Sequence, residues 1–210
     1  MKNIILVIEN GNSLAVKAAQ QFEADGDVVF RCERYPDENQ REQLVEQLTQ
    51  LEGRLDLLLF GAGSPEADGV IGSGHDTAQL LDCVSDAIYG MQEAVEAMLP
   101  LLRKSTMKRI GMITYRCSSI GYCENRKDFG RHMSLAGLNM EGKLFFNRLR
   151  PEGFTFRWYC AQEEETSGEE GICAAEYMKL GLCCDEKEPY IHSDENRLVM
   201  RDRHFREIPW

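Results

Sequence analysis

An α/β fold, a three-layer αβα sandwich around a doubly wound and mainly parallel sheet, is predicted by three observations. Apolar, β-rich runs alternate five times with longer amphipathic segments. The first of these runs, NIILVI at 3–8, is apolar without alternation, as a strand covered on both faces requires. The connections between runs are short, as right-handed βαβ units need.

Each element follows in order. After the strand over 3–8, Asn12 or Ser13 is the N-cap of a helix to about 24, and Gly26 marks the turn into a strand over 28–32. Pro36 and Asp37 open a second helix to about 51, with Leu44, Val45, Leu48 and Leu51 at the spacing of a core-facing stripe. LDLLLF at 55–60 is the third strand. A glycine-rich loop, GAGSPEADGVIGSG, then leads to His75 and Asp76, which cap an unusually long helix over 76–104. A fourth strand is expected over 109–114, a helix over 131–149, and a fifth strand over 154–160 after the turn at Pro151 and Gly153. Beyond about 161 the chain is less regular: an acidic loop with Glu163, Glu164, Glu165, Glu169 and Glu170, a helix over about 172–182, and a short strand pair around 189–191 and 197–200. The acidic loop reads as solvated. A single domain over 1–210 is expected. Its ligand crevice belongs at the C-terminal ends of the strands, at a switch point expected between the first and fourth strands.

Composition narrows the partners. Lys and Arg number 24 against 35 Asp and Glu, a net charge of −11, which argues against nucleic acid and anionic membranes. The apolar run near the N-terminus is too short for a signal segment, so a cytoplasmic location is expected. Eight cysteines contain no CxxC pair and no zinc spacing with histidine, so buried free thiols, and no metal, are expected.

Five phrases stand in a telling order: FGAG at 60–63, Gly90 through AVEAMLPLLRK to Lys104, SSIG at 118–121, MSLAGLNMEGKLFFNRLRPEGF at 133–154, and the terminal Ile208-Pro209-Trp210. Together they resemble the short-chain dehydrogenase/reductase family, nicotinamide-dependent oxidoreductases on a Rossmann-type sheet. The resemblance implies NAD or NADP as cofactor, with Gly11, Asn12 and Ser13 of the first loop and Gly61, Ala62 and Gly63 of the FGAG loop placed to bind it. It also implies a substrate-polarising hydroxyl at Ser118, with Thr114 as the competing position.

The family's functional residues are largely replaced. Its first loop, TGxxxGxG, falls over IENGNSLA at 8–15, where Glu9, Ser13 and Ala15 take the glycine positions and Gly11 is out of register. A carboxylate at Glu9 would repel a pyrophosphate. Its YxxxK pair falls on Arg131 and Leu135, which supply neither an acid/base nor a cation beside one. Tyr122, followed by Arg126, is the nearest mimic, and Tyr115 is a further candidate acid/base. The family's helix asparagine falls at Ala87, and its proline-glycine after the fifth strand at Ala161 and Gln162. Arg31, Glu33 and Arg34 after the second strand leave the choice between NAD and NADP open. His132 reads as a polar residue at a helix start.

The expectation is therefore a protein degenerate in catalysis, acting as a binding or assembly module. The alternative is an oxidoreductase in which Tyr122 or Tyr115 works with Ser118. A third expectation is a small cationic ligand drawn by Glu9 and the acidic loop. The helices over 76–104 and 131–149 carry more apolar residues than one face can cover, which predicts a homodimer or tetramer through them.

Overall fold

The apolar run at the N-terminus forms β1 (Ile4–Ile8), and all of its residues are buried. The structure, a computed structural model, describes residues 2–63, 74, 76–162, 168–180 and 197–210, without the side chains of 85 and 86. Its strands continue as β2 (Val28–Cys32), β3 (Leu57–Gly61), β4 (Arg109–Tyr115), β5 (Thr155–Ala161), β6 (Met200–Arg201) and β7 (Glu207–Ile208). They form one sheet in the order β2-β1-β3-β4-β5-β6-β7, parallel throughout except for the antiparallel β6–β7 pair. This is the expected Rossmann-like α/β sandwich.

The switch point differs from the expectation. It lies between β1 and β3, not between the first and fourth strands, because only β2 is laid on the far side of β1 before the chain returns. Helices cover the sheet in two groups: α1 (Ser13–Ala24) packs with α5 (Gly168–Lys179), while α3 (Thr77–Leu102) packs between α2 (Glu38–Leu51) and α4 (Phe129–Leu149).

Capping chemistry fixes three helix starts as the sequence indicates. Asn12 caps α1; Asp37 forms a reciprocal capping box with Gln40 at α2; Asp76 caps α3. His75 lies outside the described residues. α4 begins at Phe129, two residues before the expected start, because Asp128 takes a left-handed conformation (φ 59°) and its carbonyl accepts both the His132 amide and the His132 ring. α5 starts and ends earlier than expected. Gly90 of α3 faces Tyr35, whose ring leaves no room for a Cβ: its Cδ2 would lie 2.6 Å away.

Of the expected C-terminal strand pair, residues 189–191 lie outside the described residues, and the other strand is seen as β6, which starts at Met200 and pairs with β7. Asp202 makes the turn: its Oδ1 accepts from the His204 and Arg206 amides at 2.9 and 3.0 Å, and Phe205 adopts a φ of 55°. Cys83, Cys117 and Cys160 are buried, and Cys123 is exposed. No helix among the described residues is long and apolar enough to cross a membrane.

Candidate functional site

The first loop joins β1 to α1 and closes on itself. Asn12 is fully buried. Its Oδ1 accepts from the Leu14 and Ala15 amides, both at 3.0 Å, and its Nδ2 donates to the carbonyls of Ala62 at 3.0 Å and Ile113 at 3.3 Å. One side chain thus caps α1 and ties the ends of β3 and β4 to it. The Asn12 amide in turn donates to the Glu9 carbonyl at 2.8 Å. Gly61 and Gly63 are needed for this closure: a Cβ on Gly61 would lie 2.6 Å from Asn12 Cβ, and one on Gly63 would lie 2.9 Å from Asn10 Nδ2.

These residues do not fit a dinucleotide pyrophosphate. The amides at the start of a helix hold an anion when they are free, and here those of Leu14 and Ala15 donate to Asn12 instead. Glu9 is buried beside them and accepts from Arg31 Nε at 2.6 Å. The six residues expected to bind cofactor, Gly11, Asn12, Ser13, Gly61, Ala62 and Gly63, are therefore brought together, but Asn12 turns toward the fold. The same ion pair gives Glu9, expected to draw a cationic ligand, a cation of its own, and Glu163, Glu164 and Glu165 of the acidic loop lie outside the described residues. Burial, and then the Glu9 charge, push the Cys32 thiol above its usual range. Arg31, one of the residues weighed for cofactor choice, is likewise taken up by this pair.

The serine loop follows β4. Ser118 is buried, and its Oγ accepts from Asn139 Nδ2 of α4 at 3.0 Å; it lines a cavity with Ile120, Met140 and Trp210. Ser119 donates to the Pro209 carbonyl at 2.5 Å, and the Gly121 amide donates to the Trp210 carbonyl at 3.1 Å. Both serines hold the chain's own C-terminal residues and α4. Tyr122 is half exposed and lies elsewhere, on two adjoining cavities of about 290 and 260 Å³ beyond the ends of β4 and β5. The expected pairing of Ser118 with Tyr122 is not formed in a common cavity, because the 3-10 turn over Arg116–Ser118 buries the serine against Asn139 while leaving the tyrosine outside.

One residue that sequence reasoning passed over, Arg116, shapes this crevice. Arg116 lies 4.5 Å over the Tyr122 ring and lines both cavities. Arg131, at the family's tyrosine position, lies 5.7 Å from the Tyr115 ring centre, with its Nε buried and unpartnered. Leu135, at the lysine position, is core. Thr114 is buried with its hydroxyl unpartnered. His132 braces a loop, its Nδ1 donating to the Asp128 carbonyl and its Nε2 accepting from Asn125. The position of Asn139 inside the MSLAGLNM phrase was the one available signal for its role.

No family model matches the chain. Over 102 residues it is 30% identical to C-signal of Myxococcus xanthus, a match covering 49% of this chain and 61% of that protein. Among solved structures, it is similar over 100% of both chains to Sniffer of Caenorhabditis elegans, described as a carbonyl reductase, at a TM-score of 0.79 and 14% identity. Over the same full coverage it is similar to two Burkholderia multivorans proteins. One is described as a short-chain alcohol dehydrogenase (TM-score 0.68, 17% identity), and the other as a short-chain dehydrogenase/reductase with bound NADP (TM-score 0.63, 19% identity). The class defined at these identities is one of fold: the chain has the Rossmann-like fold of short-chain dehydrogenases/reductases. Within that fold its first loop and serine loop have the closed geometry described above.

Proposed function

We propose that this chain is a binding or assembly module on the short-chain dehydrogenase/reductase fold, without the hydride transfer of that family. The observation that carries this reading is the capping of α1 by Asn12, which takes up the amides a pyrophosphate would need. The core position of Leu135 supports it, since no cation stands four residues beyond Arg131 to set an acid/base or hold a ribose. Calorimetric titration with NAD, NADH, NADP and NADPH tests it. No binding at micromolar concentration is expected, and micromolar binding of any of the four overturns it.

Assembly through α3 and α4 belongs to this reading. Leu135, Leu138, Phe146 and Leu149 of α4 face the core, while Met133 (60% exposed), Met140 (62%) and Leu144 (60%) are left outside. α3 adds exposed Leu81 and Tyr89. A second copy covering this face through a two-fold contact would bury at least about 1,200 Å². Light scattering is expected to return twice the 23.9 kDa chain mass; a monomer at every concentration rejects the assembly.

A second reading, an oxidoreductase with an unconventional acid/base, is favoured by one observation. The Arg131 guanidinium lies 5.7 Å from the ring centre of Tyr115, the last residue of β4, so a cation stands beside a tyrosine next to the serine loop. Nicotinamide-dependent turnover lost in Tyr115→Phe would support it.

A further inference from the structure

The cavity beside the serine loop measures about 190 Å³ and shares no lining residue with the two cavities around Tyr122. Its wall is mostly apolar. Leu198 is buried and Ala136 half-buried, while Ile120, Met140 and Trp210 are exposed. The backbone that carries Trp210 is fastened to the serine loop by the bonds from Ser119 and the Gly121 amide, so this side of the cavity is held in place. Met140, unbranched and exposed, is the adaptable side.

One polar group in this wall lacks a partner. Asn139 is 4% exposed, and its Oδ1 is buried without a hydrogen bond. The orientation of the amide is fixed by its other arm: Nδ2 faces the Ser118 hydroxyl at 3.0 Å, the Ser118 carbonyl at 3.3 Å and Met200 Sδ at 3.6 Å. Turning the amide over would set Oδ1 against that carbonyl, acceptor against acceptor. Met200 is not on the cavity wall whereas Asn139 is, so the nitrogen arm turns into the fold and the oxygen arm is the one left for the cavity. A buried acceptor without a donor is costly, and a ligand that supplies the donor relieves that cost. Lys143, the one charged residue lining the cavity, disfavours a cation there, and Oδ1 disfavours an anion.

We propose that this cavity binds a small, neutral, ring-sized apolar molecule that carries one O–H or N–H donor, with Asn139 Oδ1 as the acceptor. Its volume suits such a ring, since an apolar cavity of about 150 Å³ is enough to hold benzene. The inference goes beyond the function proposed above and does not rest on it. Met140 also belongs to the face assigned to assembly, and light scattering on the same sample separates the failure of that reading from the failure of this one.

The test is a titration of the full chain with phenol and with its methyl ether anisole, which keeps the ring and loses the donor, followed by calorimetry and by the NMR signals of the Asn139 side-chain amide and the Trp210 indole. Phenol is expected to bind at about 1 mM or tighter and to move both signals, and anisole to bind about tenfold or more weakly. Ala136→Leu, which fills the cavity with a good helix former, should weaken phenol about tenfold or more. The comparison of the two probes needs no variant and stands if Ala136→Leu fails to fold. Absence of phenol binding below about 10 mM, including through a second copy covering the mouth, would overturn the proposal. So would equal binding of phenol and anisole, or phenol binding that leaves the Asn139 and Trp210 signals in place.

Discussion

The first loop and the serine loop sit at the same edge of the sheet, and both turn functional-looking groups inward, but by different means. In the first loop a buried side chain, Asn12, uses its amide group both to cap α1 and to bind two strand-end carbonyls, so the region is sealed. In the serine loop the hydroxyls of Ser118 and Ser119 are engaged by α4 and by the chain's last residues, yet two cavities stay open beside Tyr122 and Arg116. A loop can thus engage its polar groups either by filling its donors or by redirecting them. Only the second route leaves room for a different ligand.

Four substitutions separate these routes. Asn12→Ala has the largest expected effect, about 2–4 kcal/mol of stability in urea unfolding, because it removes a helix cap and leaves the Ala62 and Ile113 carbonyls short of a buried donor. A loss below about 1 kcal/mol would mean that the first loop is not sealed by this residue. Glu141 of α4 is buried with one carboxylate oxygen unpartnered, and burial raises its pKa from 4.5 to about 8. Its charge adds to the burial that pushes the Tyr35 hydroxyl upward, so the two side chains lie close enough to interact. Folded Glu141 keeps its proton up to about pH 8, while unfolded it releases it near 4.5. The folded state therefore binds the extra proton inside that window, and stability falls as pH rises through it. The decline should be roughly 1–3 kcal/mol, and Glu141→Gln should flatten it.

Arg31→Ala leaves the buried Glu9 carboxylate without its cation and is expected to cost about 1–2 kcal/mol at pH 7. Unchanged stability at pH 7 would show that the first loop tolerates free negative charge. Ser119→Ala should have the smallest effect, about 1 kcal/mol or less, since the two bonds it removes, to the Pro209 carbonyl and from the Tyr122 amide, lie beside exposed residues. Its sharper readout is faster removal of Trp210 by carboxypeptidase. If the tail stays protected, the Gly121 amide alone is holding it.

Local chemistry was the legible part of this chain. The strands β1 and β3 are continuous apolar runs, and the caps Asn12, Asp37 and Asp76 stand where side-chain acceptors precede apolar periodicity. The strand order was less legible, because the number of strands laid beyond β1 is a tertiary outcome. The β6–β7 hairpin was hidden for a different reason: its turn is built by Asp202 within the polar run RDRHFREI, which carries no alternation. At the candidate site the resemblance put Arg131 and Leu135 on the positions of the family's proton relay. It did not show which way Ser118 points, since that depends on Asn139 reaching across from α4.

The contact between Gly90 and Tyr35 has a practical consequence for engineering. Replacing a mid-helix glycine by alanine is a routine route to a more stable variant, worth up to about 1 kcal/mol where the backbone is helical and the space is free. At position 90 the glycine is a socket for an aromatic ring, so the added methyl would have to displace Tyr35 from between α3 and its partner Phe60. A library that scores this position by helix propensity alone would rank the substitution high. A screen by melting temperature should return it among the losses.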